Sequence, residues 1–276
     1  MNTEKKYHIG VFDSGFGGLT ILKEIQNELP EYSYIYLGDN ARAPYGNRSF
    51  ETVYKYTLEA IKKLFELDCS IVIIACNTAS AKALRTIQQQ DLPKLAPDKK
   101  VLGIIRPCSE QANSFTNNNN LGIFATSGTV ASQSYEIEIQ KFFPDIHVTA
   151  HACPMWVPLV ENGEQESDGA DYFIKKEIDA ILNKNNKIDS ILLACTHYPL
   201  LLKKIEKHIP QNITIINQGN IVAKSLKSYF NNHPEIENLL VKNKNISYLT
   251  TESTSIFDKI GSSFMQENIR AKTIII

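Results

Sequence analysis

An α/β fold built on doubly wound parallel sheets is predicted by three observations. Short runs of Ile, Val and Leu, each ended abruptly by polar residues, alternate with segments of helical periodicity along the chain. That is the pattern of parallel strands buried on both faces and separated by crossover helices. One run, IVIIACNTAS at 71–80, returns in pattern as ILLACTHYPL at 191–200, an apolar strand followed by Ala-Cys and a helix-like segment. The two copies fall in separate halves of the sequence, which implies two similar domains facing one cleft, with Cys76 and Cys195 at the strand ends where α/β sheets bind ligands.

Taken in order, YHIGVF at 7–12 reads as the first strand, and the turn DSGFGG at 13–18 leads into a helix over 19–29. Leu19, Leu22, Ile25 and Leu29 repeat at helical spacing there, and Pro30 stops the pattern. SYIYL at 33–37 is a second strand, followed by the polar loop NARAPYGNRS and a helix carrying Val53, Tyr56, Ala60, Leu64 and Leu67 on one face. Strand 71–75 then delivers Cys76, with a helix over 78–90. The Pro-rich, charged stretch DLPKLAPDKK reads as a linker and places a domain crossing near Lys99. Beyond it come a strand at 101–105, a helix near Ser109, a strand at 121–125, a helix from Val130 and a strand at 146–150. ACPMWVPLVENGE reads as a loop whose prolines break helices, and a helix over 169–182 with the strand ending at Cys195 completes this half. The remainder alternates again: a helix to His208, a strand at 213–216, a helix to Phe230, and strands near Ile246 and Thr273 around a helix at 255–265.

The 276 residues suit one large or two smaller α/β domains, and 43% apolar with 21% charged residues is ordinary for a globular protein. With 29 basic and 30 acidic residues the net charge is -1, which argues against nucleic acid or an anionic membrane as the main partner. The N-terminal stretch MNTEKKYHIGVFDSG lacks the long apolar region of a secretory signal, and no apolar run reaches the roughly 18 residues a membrane span needs. A soluble, cytoplasmic protein is expected. Its five cysteines are odd in number and contain no CxxC, so neither a disulfide framework nor a metal site is signalled. No lysine in these motifs is placed for a Schiff base, so a pyridoxal mechanism is not indicated.

A thiol at the start of a helix feels the positive end of the peptide dipoles, which should lower its pKa from about 8.5 and make it a base or nucleophile. Either cysteine alone reads more readily as an inert core residue. The polar residues directly after each, in ACNT and ACTH, favour a ligand-facing role. Cys69, Cys108 and Cys153 lack that context and read as core. Asp13, at the end of the first strand, suits a carboxylate that orients or assists a base at Cys76. Gly15, Gly17 and Gly18 form a turn whose backbone N–H groups could hold an anion. A dinucleotide reading would use Asp39, about 20 residues on, for a ribose. Thr20 at the third fingerprint position and the Asp13 carboxylate both weaken it. His197, two residues after Cys195, and Glu161 in the same half could tune the second thiol, although a lone histidine is more often structural. Ser14, Asn77, Thr78 and Thr196 offer neutral hydrogen bonds to the carboxylate and amino groups of a small substrate.

Over nearly its whole length, through IGVFDSGFGGLTILKEI, YLGDNARAPYGNRS, IACNTASA, GTVASQSY, ACPMWVPLVENGE and LACTHYPLL, the chain resembles the glutamate racemases of the cofactor-independent amino-acid racemase superfamily. The resemblance implies two pseudo-symmetric α/β domains, with the active site in the cleft between them and the last segment returning to the first domain: 1–99 with 214–276, and 100–213. It implies a two-base reaction on glutamate without cofactor, Cys76 acting toward D-glutamate and Cys195 toward L-glutamate. Asp13 would assist Cys76, and His197 with Glu161 would assist Cys195. Substrate would be bound by Asp13, Ser14, Tyr45, Gly46, Asn77, Thr78, Thr129, Thr196 and His197. The implied role is D-glutamate supply for peptidoglycan synthesis, and a homodimer is carried as an expectation. The short N-terminus offers no obvious room for a regulatory segment. Two positions depart from the family pattern, Arg106 where an acidic residue is common and Asn217-Gln218 in place of an Asp-Ser pair. Both lie beside the matched motifs, so they bear on regulation or oligomer contacts more than on chemistry. Two alternatives stay open: a superfamily relative acting on aspartate, hydantoins or malonates, and a non-catalytic glutamate-binding protein.

Overall fold

The computed structural model describes residues 6–276; the first five, part of the stretch read above as lacking a secretory signal, lie outside the described residues. Among the described residues ten strands form two wholly parallel sheets. The first contains β1 (His8–Asp13), β2 (Tyr34–Gly38), β3 (Cys69–Ile74), β4 (Lys100–Gly103), β9 (Ile246–Thr250) and β10 (Ala271–Thr273) in the order β10-β9-β2-β1-β3-β4. The second contains β5 (Asn120–Ala125), β6 (His147–Ala152), β7 (Ser190–Ala194) and β8 (Thr214–Asn217) in the order β6-β5-β7-β8.

Burial explains the apolar runs. Every residue of β3 and β7 is buried, as is β1 from Ile9 to Asp13, because helices cover both faces of each sheet. Helix Phe50–Glu66 starts where the Ser49 side chain accepts a hydrogen bond from the Thr52 N–H, and it buries Val53, Thr57, Ala60, Ile61 and Leu64 along one stripe. Ser167 caps helix Asp168–Lys184 in the same way. One apolar cluster runs from Ile9, Val11 and Leu22 of the first unit to Phe124, Trp156 and Ile191 of the second, so the two sheets share a core.

Four features differ from expectation. β4 pairs with β3, Val72 opposite Val101, so the crossing between sheets follows Gly103 and not Lys99. The presumed linker is partly helical: Pro93 lies in the first turn of Leu92–Leu95, where its missing N–H costs no helical bond. β8 pairs with β7, so the chain returns to the first sheet after Asn217 and not before Thr214. The stretch read as a proline-broken loop contains helix Trp156–Glu161, with Pro158 likewise in the first turn. Trp156 anchors it, fully buried with ring centroids 4.8 Å from Phe124 and 4.9 Å from Tyr198.

Each sheet has a point where successive connections leave in opposite directions, and there ligands find a crevice at the strand ends. In the first sheet it falls between β1 and β3, with Phe12 opposite Ile74. In the second it falls between β5 and β7, with Ala125 opposite Ala194. Asp13 and Cys76 therefore flank one switch point, and Thr126 and Cys195 flank the other. Among the described residues no helix is long and apolar enough to cross a membrane.

Candidate active site

A cavity of about 150 Å³ lies between the two sets of strand ends, lined by Cys76 from the first unit and Cys195 from the second. At roughly 10–15 Å³ per water-sized group, it holds on the order of ten non-hydrogen atoms, the size of a small amino acid and far below a nucleotide. Ser14, Tyr45, Gly46, Asn77, Thr78, Glu161, Thr196 and His197 also line it, which brings most of the expected site residues together. Among the described residues no lysine or arginine lines it. A bound anion would meet neutral donors and His197 instead.

Cys76 caps helix Asn77–Lys82: its sulfur accepts from the Ala79 N–H at 3.4 Å and lies 3.5 Å from the Ser14 hydroxyl. The expected drop in its pKa is reversed. Burial pushes the thiol up to about 12 and the Asp13 charge adds to this, outweighing the Ser14 and Ala79 hydrogen bonds that favour thiolate. Desolvation of a sulfur in a closed cavity thus exceeds the field of one short helix. Cys76 is a neutral thiol at rest.

Asp13 is fully buried behind Ser14, its Oδ1 accepting from the Gly15 N–H at 2.8 Å and its Oδ2 without a hydrogen-bond partner. Burial raises its pKa, against the opposing charge of His197. It does not line the cavity, so the expectation that it touches substrate is corrected, and its charge raises the pKa of Cys76. Thr129 is corrected likewise. It stands behind the wall, its Oγ1 3.1 Å from Thr126 Oγ1 and 3.4 Å from Thr78 Oγ1.

His197 lies between the second thiol and Glu161. Its Nδ1 is 3.9 Å from Cys195 Sγ and its Nε2 is 3.1 Å from Glu161 Oε1. Burial alone would lower its pKa, but the hydrogen bonds to Cys195 and Glu161 outweigh that and hold it up, at about 10. Both ring nitrogens therefore carry protons, and an imidazolium stands against the sulfur. The Phe264 ring packs edge-on against it, with centroids 6.0 Å apart, so a helix of the first unit supports a histidine of the second.

In the glycine turn the Gly15 N–H is already engaged by Asp13 Oδ1. A Cβ at Gly17 would lie 2.5 Å from His197 Nδ1, and one at Gly18 would lie 2.5 Å from Asp13 Cβ, so these glycines let the turn pack against the second unit and against its own strand. Thr20 Oγ1 donates to the Thr196 carbonyl at 3.0 Å, which ties the units together at this point. Asp39, the alternative ribose ligand, is buried and already engaged by Arg42, the Tyr45 hydroxyl and Thr251.

Several contributors escaped the sequence reading. Cys153, read as core, lines the cavity while remaining buried, and the exposed Pro44 with the half-buried Val157 and Pro158 adds apolar surface to the wall. Thr126 also lines it, and one signal could have found it: Ala125-Thr126 ends β5 as Ala194-Cys195 ends β7. Of the two departures from the family pattern, Arg106 is exposed and paired with Glu110, whereas Gln218 is buried and bonded to Asn77 in the cavity wall. That second position bears on the site itself, contrary to expectation.

Residues 14–226 match the family model described as Asp/Glu/Hydantoin racemase. A glutamate racemase from Enterococcus faecalis is 38% identical over 272 residues, covering 96% of this chain and 95% of its own. The crystal structure of a glutamate racemase isoform from Bacillus anthracis superposes with a TM-score of 0.88 at 32% identity, covering 99% of this chain and 98% of its own. One from Francisella tularensis, in complex with D-glutamate, superposes with a TM-score of 0.86 at 30% identity and covers 98% of each chain.

Proposed function

The chain belongs to the Asp/Glu/hydantoin racemase family, and from that premise we propose that it is a glutamate racemase that interconverts L- and D-glutamate by a two-thiol reaction without cofactor. The observation that carries this reading is the pair of strand-end thiols, one from each sheet, on a single cavity of amino-acid size.

Racemisation needs one base to take the α-proton and one acid on the opposite face to return a proton, so one group must be charged while the other is neutral. The resting site supports that division. Cys76, raised to about 12, holds its proton, and the His197 imidazolium lies beside Cys195, where negative charge is stabilised. Cys195 as thiolate takes the α-proton of L-glutamate, the carbanion is stabilised by neutral donors such as Thr78 and Thr196 while Asn77 holds the substrate in place, and Cys76 delivers its proton to give D-glutamate. The reverse direction exchanges the two roles. Asp13, with its raised pKa, sets the protonation of Cys76, and Glu161 keeps His197 charged. Ser14, Tyr45 and Gly46 complete the substrate contacts.

In this reading each sheet with its helices is a domain, 6–103 with 218–276 and 104–217, and substrate sits between them. Cytoplasmic supply of D-glutamate for peptidoglycan follows from it, with a homodimer as the assembly.

Incubation of the purified protein with L-glutamate in deuterated water, without added cofactor, should abolish optical rotation and place deuterium on the α-carbon. Unchanged rotation with no exchange, in protein shown to be folded, would sink the proposal. A binding protein would behave in that way, and aspartate racemised in place of glutamate would point to the other branch of the family.

A further inference from the structure

A closed ring of hydrogen bonds lies behind the cavity wall where the two units meet. Asn77 Nδ2 donates to Gln218 Oε1 at 2.7 Å, and the Tyr135 hydroxyl donates to Asn77 Oδ1 at 2.6 Å. Gln218 Nε2 donates to the Tyr135 hydroxyl oxygen, so each group donates to the next. Gln218 Nε2 also reaches Cys108 Sγ at 3.5 Å. All four residues are buried. They come from four elements: Asn77 follows β3 and Cys76, Cys108 lies on helix Ile105–Glu110, Tyr135 on helix Ser134–Phe142, and Gln218 opens helix Gln218–Asn232.

We infer that Gln218 is a positioning residue for the substrate, acting through Asn77; the inference rests on the racemase reading. A carboxamide has two donor hydrogens and two acceptor sites, and reversing it exchanges what it offers. The sulfur of Cys108 and the oxygen of Tyr135 occupy both Nε2 hydrogens of Gln218, so its oxygen faces Asn77, and Asn77 must answer with an N–H. Tyr135 fixes the other end by donating to Oδ1. One N–H and one lone pair of Asn77 are then left, in a defined orientation, for the cavity that Asn77 lines and Gln218 does not. Without Gln218, the Tyr135 hydroxyl can donate or accept, and the Asn77 amide loses its fixed sense. Ground state and transition state would lose the same contact, so the effect falls on KM.

The test compares wild type, Gln218→Leu, Tyr135→Phe, Asn77→Ala and the Asn77→Ala/Gln218→Leu double variant. Loss of one oriented hydrogen bond predicts a KM for glutamate raised about tenfold in Gln218→Leu, with kcat within about threefold. The side-chain amide protons of Asn77 should exchange with solvent at least about tenfold faster in that variant by NMR. In the Asn77→Ala background, adding Gln218→Leu should leave KM unchanged, an outcome that a merely structural role does not produce. A folded Gln218→Leu with wild-type KM and a still protected amide overturns the inference. Should that variant fail to fold, Tyr135→Phe breaks the same ring elsewhere, and a wild-type KM there overturns it equally. A wild-type protein that does not racemise glutamate defeats the racemase reading alone; the amide exchange then decides the ring, for or against.

Discussion

Gly17 tests whether the glycine turn sets the position of His197. Its φ of -58° is open to any residue, so only space forbids a side chain there. A Cβ on Gly17 would lie 2.5 Å from His197 Nδ1 and 2.7 Å from Cε1, and nearer still to Thr196 Oγ1. Ordinary contact needs about 3.5 Å, so in Gly17→Ala the imidazole retreats by about 1 Å. The Nδ1 approach to Cys195, at 3.9 Å, has no slack to absorb that movement. A misplacement of about 1 Å in a catalytic constellation costs on the order of 100-fold in rate. Overpacking at this buried contact costs a further ~1–3 kcal/mol of stability. The assay is racemisation of each enantiomer followed by circular dichroism, together with denaturant unfolding of the same preparation. Because the enantiomers have equal free energy, kcat/KM must fall equally in both directions. Gly169→Ala is the control: a Cβ there would meet Ser167 Oγ at an ordinary 3.5 Å, so activity should be unchanged, with a gain of up to about 1 kcal/mol in helix propensity. A folded Gly17→Ala protein with kcat/KM within about threefold of wild type would refute the reasoning.

Three further predictions concern the protonation states. Cys195→Ser should abolish net racemisation in both directions yet leave slow deuterium exchange from D-glutamate, because Cys76 can still act as a base; wild-type turnover would remove Cys195 from the mechanism. Asp13 is buried with its pKa raised, so its contribution to stability declines as pH climbs from the usual carboxylate range toward the raised value. Asp13→Asn should therefore be more stable than wild type at pH 7, by about 0.5–2 kcal/mol, with the difference fading in acid and racemisation reduced roughly 100-fold or more. A less stable Asp13→Asn at pH 7 would contradict this. His197 is held at about 10, so the stability it contributes is complete below about pH 6.5 and is lost as pH rises toward 10. The unfolding free energy of His197→Gln should accordingly fall less steeply over that window than that of wild type, and parallel profiles would refute the assignment.

The sequence by itself determined the local elements and the chemistry they carry. Apolar runs such as IVII and ILLA are buried on both faces and can only be inner strands, so the strand ends, and with them Cys76 and Cys195, followed directly. The polar residues after each thiol marked them as ligand-facing for the same local reason. What the sequence misjudged depended on contacts between segments far apart in the chain. The sheet crossing moved past Gly103 because β4 found its partner in β3, a pairing that no local propensity encodes. Cys153 and Cys76 show the same limit in opposite ways. One reads as core yet lines the cavity, and the other sits at a helix start yet has its pKa raised, because desolvation is set by everything that surrounds a group. Gln218 was set apart from the chemistry because it lies beside the matched motifs and not within one. Only the folded molecule places it against Asn77 and Tyr135, where a buried carboxamide must have partners and therefore fixes theirs.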